Sequence, residues 1–221
     1  QISWEIYEDF GDNTTNTPLL KSHEYRETAT SSVWEYFPGI LGMTLGRLLG
    51  VSARANLLLT KIFFFLFYVA ACYYAIRTAP RFKTGIAFTA LLPMALYQAT
   101  GITYDSVVIA VMMMIIALWL KARENPLLKR EWFYLIALAY IIGCCKGGFY
   151  SVVLFLFFIV PAINMGGKKK KALLIFCLLG TAAVAVLITS FRVYLPYLQG
   201  VFEIQAAGAA LEEPTQKGTI T

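Results

Sequence analysis

The chain has 221 residues, of which 58% are hydrophobic and only 14% charged, and this composition excludes an ordinary soluble domain, where about a quarter are charged. Its net charge of +6 comes from basic clusters between long apolar blocks, a pattern that favours a lipid bilayer as partner and excludes nucleic acid. All four cysteines lie inside apolar blocks, so the sequence predicts buried thiols and no disulfide framework.

Both ends of the sequence are typical of a fragment. No initiator methionine or signal peptide precedes Gln1, and the last residues, "LEEPTQKGTIT", stop without a structural element. We therefore expect the sequence to be an internal piece of a longer protein.

Residues 1–55 are predicted to form a polar, acidic segment outside the membrane that ends in an interfacial helix. The helix is expected at about residues 38–50, where Pro38 suits a first turn and the following leucines form a broad apolar face. It is too short to span about 30 Å of hydrocarbon, so we expect it to lie at the membrane surface with Arg47 at headgroup level.

The apolar blocks that follow predict an all-α, polytopic bundle of about six membrane helices. They cover residues 57–76, 86–99, 106–120, 132–145, 149–163 and 172–191. As single helices, the tracts 86–120 and 132–163 would be roughly 52 and 48 Å long, far more than a hydrocarbon core of about 30 Å. Each tract has turn-forming or charged residues at its middle, "TGITYDS" and "CCKGG", so we predict two short hairpins.

The basic loops agree with the hairpin arrangement. They cover residues 77–83, 121–130 and 166–171. Two hairpins place all three loops on one side, which the positive-inside rule makes cytoplasmic, whereas two long helices would place them on alternate sides. We therefore predict a multi-pass protein of the cell membrane, with Asp105, Lys146 and a truncated segment 192–221 on the extracytoplasmic side.

An aspartate at the apex of the first hairpin is the leading candidate for function. Asp105 interrupts an apolar tract, and a charge at membrane depth is costly unless it is paired or faces water. The alternative is that Asp105 or Ser106 caps the helix that follows. The two interpretations are compatible, and the residues alone leave both open.

Basic side chains provide candidate sites for an anionic ligand. Lys146, at the second apex, either snorkels to the surface or binds Asp105 or a phosphate, and Tyr150 lies just beyond it. Lys61 either snorkels outward or faces the same polar cavity, and both Lys61 and Arg47 are candidates for binding a phosphate. The lone histidine, His23, has no second ligand nearby, and the spacing of the other residues predicts no metal site.

Several stretches resemble the domain-of-unknown-function 2142 family of bacterial membrane proteins. "YFPGILGMTLGRLLGVS" is similar to a Tyr-x-Pro-x-x-Leu-Gly motif that precedes a membrane span in that family. "AIRTAPRFKTGIAFTALLPMALYQATGITYDSVVIA" resembles the family more closely, with Thr103-Tyr104-Asp105 where a Ser-x-Asp is common. "CCKGGFY" is similar to a family lysine followed by a tyrosine, and the resemblance covers roughly residues 34–165.

This family resembles the glycosyltransferases of the GT-C type, and the resemblance implies a multi-pass fold with an outward active site. It implies transfer of a sugar from a polyprenyl-phosphate carrier to a cell-envelope polysaccharide. It also implies a catalytic acid just after a first span that this sequence lacks, so the catalytic residue is unknown. The weak candidates for that acid are Asp105, Glu5, Glu8 and Asp9.

The chemistry of such a transfer defines the expected ligand contacts. The departing phosphate needs a cation, which is either a basic side chain or a divalent metal ion. The sequence does not identify a cofactor, and a divalent metal ion is the candidate. The predicted substrate-binding residues are Tyr104, Asp105, Lys146, Tyr150, Arg47 and Lys61.

Two other functions stay open. Paired hairpins with polar apices near membrane depth are also typical of a transporter or flippase of an envelope precursor. In a non-catalytic membrane partner, Asp105 and Lys146 would only cap a helix and snorkel. In a full-length chain, an acidic motif after an N-terminal span would favour the enzyme, and an inverted repeat of the spans would favour transport.

Overall fold

The computed structural model describes residues 32–211, including the side chains of residues 32–191 apart from Gly147. Within that range the chain is helical and contains no β-strand, which confirms the predicted all-α class. The α-helices are α1 (Phe37–Leu48), α2 (Ala53–Thr78), α3 (Lys83–Ala90), α4 (Pro93–Ala99), α5 (Tyr104–Glu124), α6 (Lys129–Cys144) and α7 (Lys168–Leu211). Three 3₁₀ helices are also present, at Val33–Glu35, Cys145–Ile159 and Ala162–Met165.

Three helices of the described range are long and apolar enough to cross a membrane. They are Ala53–Thr78, Tyr104–Glu124 and the part of α7 from Lys168 to Phe191. The shortest of them, with 21 residues, is about 32 Å long and matches a hydrocarbon core of about 30 Å. Large apolar side chains also cover the outside of the bundle, where Phe88 and Phe176 are 70% and 76% exposed. The chain is therefore a membrane protein, while the count of six spans stays a prediction.

α5 is the central helix of the bundle. Within its most apolar stretch 56% is buried by the rest of the protein, compared with 28% for α2 and 22% for the first part of α7. It packs against α2, α4, α6 and the 3₁₀ helix Cys145–Ile159. The main hydrophobic core forms where α5 meets the C-terminal half, around Ile115, Leu118, Leu135 and Leu154.

Neither of the two long apolar tracts is a single α-helix. The first is interrupted at Leu91–Leu92, between α3 and α4, and again at residues 100–103 before α5. The second changes at Cys145 from α6 to a 3₁₀ helix. The length argument therefore anticipated the breaks before α5 and at Cys145, but not the one between α3 and α4.

Contacts between the connections place the three basic loops at one end of the bundle. Arg81 forms a salt bridge with Glu124 at 3.1 Å, and Lys121 forms one with Glu131. The side-chain amide of Asn164 donates to the carbonyl oxygen of Arg123 at 2.7 Å, so the chain returns to this end just before the tetralysine loop. We call it the basic end, and we call the opposite end, which carries Asp105 and Lys146, the apex end.

The single helix predicted over residues 86–99 is divided in the structure into two short helices, α3 and α4. Pro93 has no N–H to donate to a carbonyl of the preceding turn, and its ring disfavours helical geometry at the residue before it. Leu92 accordingly has an extended ψ of 135°. The proline therefore ends α3 and begins α4.

The segment predicted as a membrane helix over residues 149–163 is largely the 3₁₀ helix Cys145–Ile159. Every third side chain from Leu154 to Val160 is buried, and every third one from Val152 to Phe158 is exposed, as three residues per turn require. At about 2.0 Å per residue the twelve residues Gly148–Ile159 extend about 24 Å, whereas an α-helix of that length would reach only about 18 Å.

α1 packs against the beginning of α2 through glycines. A Cβ on Gly42 would lie 2.9 Å from the Cα of Thr60, so the two backbones approach more closely than larger residues would permit. The apolar side chains of α1 point away from the protein, with Leu41 and Leu48 exposed by 46% and 79%. This apolar face suits the predicted interfacial helix, whose place at the membrane surface stays a prediction.

α7 extends past the predicted end of the sixth span. It runs from Lys168 to Leu211, where residues from 192 onward were predicted to leave the helix. Its 44 residues correspond to about 66 Å, more than twice the hydrocarbon core, so part of it projects beyond the bilayer. Residues 212–221 lie outside the described part of the chain.

Candidate functional site

A groove of about 680 Å³ follows one side of α5, and we call it the long groove. α3, α4 and α5 form most of its wall, and the 3₁₀ helix Cys145–Ile159 contributes Tyr150. Apolar side chains line most of its length, whereas Gln98, Asp105 and Tyr150 make it polar at the apex end. Along α5 it extends from Asp105 to Leu120, which corresponds to about 22 Å.

Asp105 lies in the first turn of α5 and does not cap it. The helix begins at Tyr104 with Thr103 as its N-cap residue, and no side chain makes a capping hydrogen bond there. The interpretation of Asp105 or Ser106 as the cap is therefore wrong, and the Ser106 hydroxyl is buried with no hydrogen-bond partner among the described residues. The positive end of the helix dipole favours the Asp105 carboxylate at this position, which faces the long groove.

Lys146 lies beside the polar end of the long groove. Its ammonium nitrogen is 5.6 Å from the centroid of the Tyr104 ring, within the range of a cation–π contact. Hydrogen bonding with Tyr104 raises the pKa of Lys146, and the nearby Tyr150 and Asp105 side chains add to the shift. The exposed ammonium group is therefore charged at neutral pH and open to an anion.

Four of the six predicted binding residues come together at the apex end. They are Tyr104, Asp105, Lys146 and Tyr150. The nearby Asp105 side chain contributes to the raised pKa of Lys146, but the two side chains do not form a direct ion pair. The two side chains therefore lie near each other without being paired to each other.

Arg47 and Lys61 lie away from this group. Arg47 is exposed in the last turn of α1, about 15 Å along the helix from its start. Lys61 is exposed on α2, about two turns after the helix begins. Neither side chain lines the long groove, so the structure does not bring them to the apex-end group.

Glu35 belongs to the apex end and was missed by the sequence reasoning. Its side chain is only 4% exposed, and its Oε1 accepts the backbone N–H of Lys146 at 2.9 Å. Lys146 has a φ of 46°, a left-handed conformation that a non-glycine residue keeps only when its surroundings hold it. Glu35 therefore fixes the turn that presents Lys146. The two residues are 111 positions apart, so no local pattern connects them.

The turn that contains Lys146 also packs closely against α7. Gly148 has a φ of 80°, and a Cβ at this position would collide with the side chain of Val186 in α7. Gly143, at the end of α6, approaches α7 closely as well, since its Cβ would lie 2.8 Å from the carbonyl oxygen of Ala182. The glycines therefore seat the Lys146 turn directly against α7.

The residues described here do not fit a divalent metal ion. No group of three or more histidine, cysteine, aspartate or glutamate side chains within the described range is placed to hold one. Asp105 is the carboxylate that lines the long groove, and it stands near a lysine, whereas magnesium and calcium prefer six or more oxygen ligands. Glu5, Glu8, Asp9 and His23 lie outside the described residues.

Comparison with known proteins identifies a family that the chain resembles over most of its length. A family model described as "Predicted membrane protein (DUF2142)" matches residues 11–210. No curated protein and no solved structure matches the chain. The similarity therefore extends beyond residues 34–165, across nearly all of the chain.

Proposed function

The chain belongs to the domain-of-unknown-function 2142 family of membrane proteins, and on that premise we propose that it is part of an extracytoplasmic glycosyltransferase. Its donor is a sugar linked to a polyprenyl phosphate, and its product is a cell-envelope polysaccharide. The observation that carries the proposal is the long groove, which is apolar along most of its length and polar at one end, where Asp105 and Lys146 lie.

The length of the groove favours an isoprenoid over an ordinary membrane lipid. Its extent of about 22 Å along α5 exceeds one leaflet, which is about half of a 30 Å hydrocarbon core. An acyl chain of a diacyl lipid occupies one leaflet, whereas a polyprenyl tail is long enough to follow the groove past the bilayer midplane. Such a tail would place its phosphate at the apex end.

The charges at the apex end suit the departure of a lipid phosphate. In the transfer, the acceptor hydroxyl bonds to C1 of the sugar, and the bond from C1 to the phosphate oxygen breaks, leaving its electrons on the phosphate. A base removes the hydroxyl proton, and a fixed cation stabilises the charge that develops on the phosphate. We assign the cation to Lys146 and contacts with the sugar hydroxyls to Asp105, Tyr104 and Tyr150. The base is still to be identified.

The proposal requires the apex end to face the outside of the cell. The three basic loops share the opposite end, which the positive-inside rule makes cytoplasmic. An impermeant maleimide added to intact cells should label a Thr100→Cys variant and should not label Asn125→Cys, since both positions are exposed at opposite ends. Labelling of Asn125→Cys alone would reverse the orientation and remove the proposed site from the outer face.

The enzymatic proposal is tested with the full-length protein in lipid vesicles that contain a polyprenyl-phosphate sugar and an acceptor. Lys146→Gln and Asp105→Asn should each lower transfer at least about tenfold, because each removes a charge from the reacting end. Lys129→Gln, an exposed residue of the basic end, is the matched control and should transfer normally. Normal transfer by Lys146→Gln and Asp105→Asn, at normal protein levels, would contradict the proposal.

Flipping of the lipid-linked precursor is the second candidate function. The long groove continues from the apex end to Phe82 and Gly85, next to the first basic loop, and so offers a path along most of the bundle. A flippase would move a labelled polyprenyl-phosphate sugar between leaflets without an acceptor. An enzyme would transfer sugar only when the acceptor is present. A non-catalytic membrane partner would do neither.

A further inference from the structure

A second groove, of about 310 Å³, lies on the opposite face of α5, and we call it the short groove. Its residue on α5 is Met114, nine positions after Asp105 and therefore about 180° away around the helix. α2 and α6 form its two sides. The short groove is thus separate from the long groove and takes no part in the proposed transfer.

The short groove is lined by apolar and aromatic side chains, and two of its lining residues are alanines with small side chains. Phe67, Ala70, Ala71 and Tyr74 of α2 face Tyr134 of α6 across it. The rings of Tyr74 and Tyr134 meet edge to face with centroids 6.3 Å apart. A narrow slot of this kind accommodates a single hydrocarbon chain.

Two arginines stand at the basic end of this slot. The guanidinium of Arg130 lies 5.7 Å from the centroid of the Tyr134 ring. Arg77 follows Tyr74 by three positions and Ala70 by seven, which places it on the same face of α2 as the groove. Both side chains are exposed, so the slot carries positive charge at its mouth.

The slot and the arginine beyond its mouth together extend over one leaflet. From Phe67 to Arg77 is about 15 Å along α2, half of a hydrocarbon core of about 30 Å. We propose that the short groove binds an anionic phospholipid of the leaflet at the basic end, with one acyl chain against Ala70 and the phosphate between Arg77 and Arg130. Basic sites between membrane helices recognise anionic headgroups in this way, and arginine pairs well with phosphate.

Charge complementarity favours a lipid over a second copy of this chain. Two copies joined through this surface would bring Arg77 and Arg130 towards their own counterparts, which repel each other. A phosphodiester headgroup supplies the negative charge that this rim lacks, and its tail fills the apolar slot. The tetralysine loop, Lys168–Lys171, attracts anionic lipid without any slot and is the natural comparison.

The test uses the full-length protein in nanodiscs that contain either phosphatidylglycerol or phosphatidylcholine with a photoactivatable acyl chain. Phosphatidylglycerol should crosslink to the peptides that contain residues 67–74 and Tyr134. The double variant Arg77→Gln/Arg130→Gln should lower this crosslinking at least about tenfold. Ala70→Leu, which fills the slot and changes no charge, should lower it as well, whereas Lys169→Gln should not.

Equal crosslinking with phosphatidylcholine, or crosslinking that all variants leave unchanged, would mean ordinary contact with surrounding lipid and would overturn the proposal. A Tyr134→Cys disulfide between two chains would show that a second copy covers the groove, with the same consequence. If Ala70→Leu fails to fold, the Arg77→Gln/Arg130→Gln variant still tests the proposal, because both arginines are exposed and their replacement should not disturb folding.

Discussion

The two ends of the bundle use their charges differently. At the basic end, Lys121 and Glu131 form a direct, largely buried salt bridge, and Glu131 also accepts the backbone N–H of Leu128 at 3.0 Å. At the apex end, Asp105 stands in the first turn of α5 and Glu35 holds the backbone of Lys146, but Asp105 and Lys146 do not form an ion pair with each other. The Lys121–Glu131 pair thus joins two helices, whereas Asp105 and the Lys146 ammonium group do not pair with each other.

This difference indicates where function is to be sought. The Lys121–Glu131 pair fastens α5 to the start of α6, so packing explains its presence. Asp105 does not cap α5 and the ammonium group of Lys146 is exposed, so neither charge fastens one helix to another as the Lys121–Glu131 pair does. Charges of this kind in a groove are candidates for ligand binding.

The strongest test of this comparison is the Glu131→Ala variant. It leaves Lys121 without its partner and Leu128 without its acceptor, so the free energy of unfolding should fall by about 3 kcal/mol. Thermal unfolding of the purified protein in detergent measures the loss. Glu131→Gln, which keeps an acceptor for Leu128, should lose less. Unchanged stability would show that the basic end is not fastened by charge.

A smaller effect is expected from Glu35→Ala at the apex end. The buried acceptor for the Lys146 backbone is lost, so the free energy of unfolding should fall by about 1 to 2 kcal/mol. The Lys146 turn should also relax, which a changed rate of amine acylation at Lys146 would report. Glu35→Gln keeps an acceptor oxygen and serves as the control. If both variants behave like the unchanged protein, Glu35 does not hold the turn.

The smallest effect is expected from Arg81→Ala. Its salt bridge with Glu124 lies at the basic end, but the Arg81 side chain is 76% exposed. Exposed pairs contribute little, so stability should change by no more than about 0.5 kcal/mol in the same unfolding measurement. A loss of stability as large as that of Glu131→Ala would mean that the difference in exposure between the two salt bridges does not determine their contributions.

Much of the architecture was predictable from the lengths of the apolar tracts. A tract too long for one membrane helix must break, and polar residues at its middle identify where, as they did before α5 and at Cys145. The apex-end group follows from the same reasoning, because two breaks on one side bring Asp105 and Lys146 to one end. Their functional roles stay predictions.

Other features depend on information that a linear pattern does not contain. The 3₁₀ winding escaped prediction because residues 149–163 are apolar almost throughout, so their periodicity reveals neither face. Glu35 escaped because it is one acid among several near the beginning of the chain, and its partner lies 111 positions away. The division of α3 from α4 depends on Pro93, which membrane helices elsewhere accommodate as a kink.

The winding of Cys145–Ile159 also sets the depth of the lysine at its beginning. Asn164 anchors the far side of this segment to the carbonyl oxygens of Ala122 and Arg123. Wound as an α-helix, the twelve residues Gly148–Ile159 would be shorter by about 6 Å. Lys146 would then stand closer to Asn164 by that distance. The separation of this cation from the basic end is therefore built into the pitch of one segment.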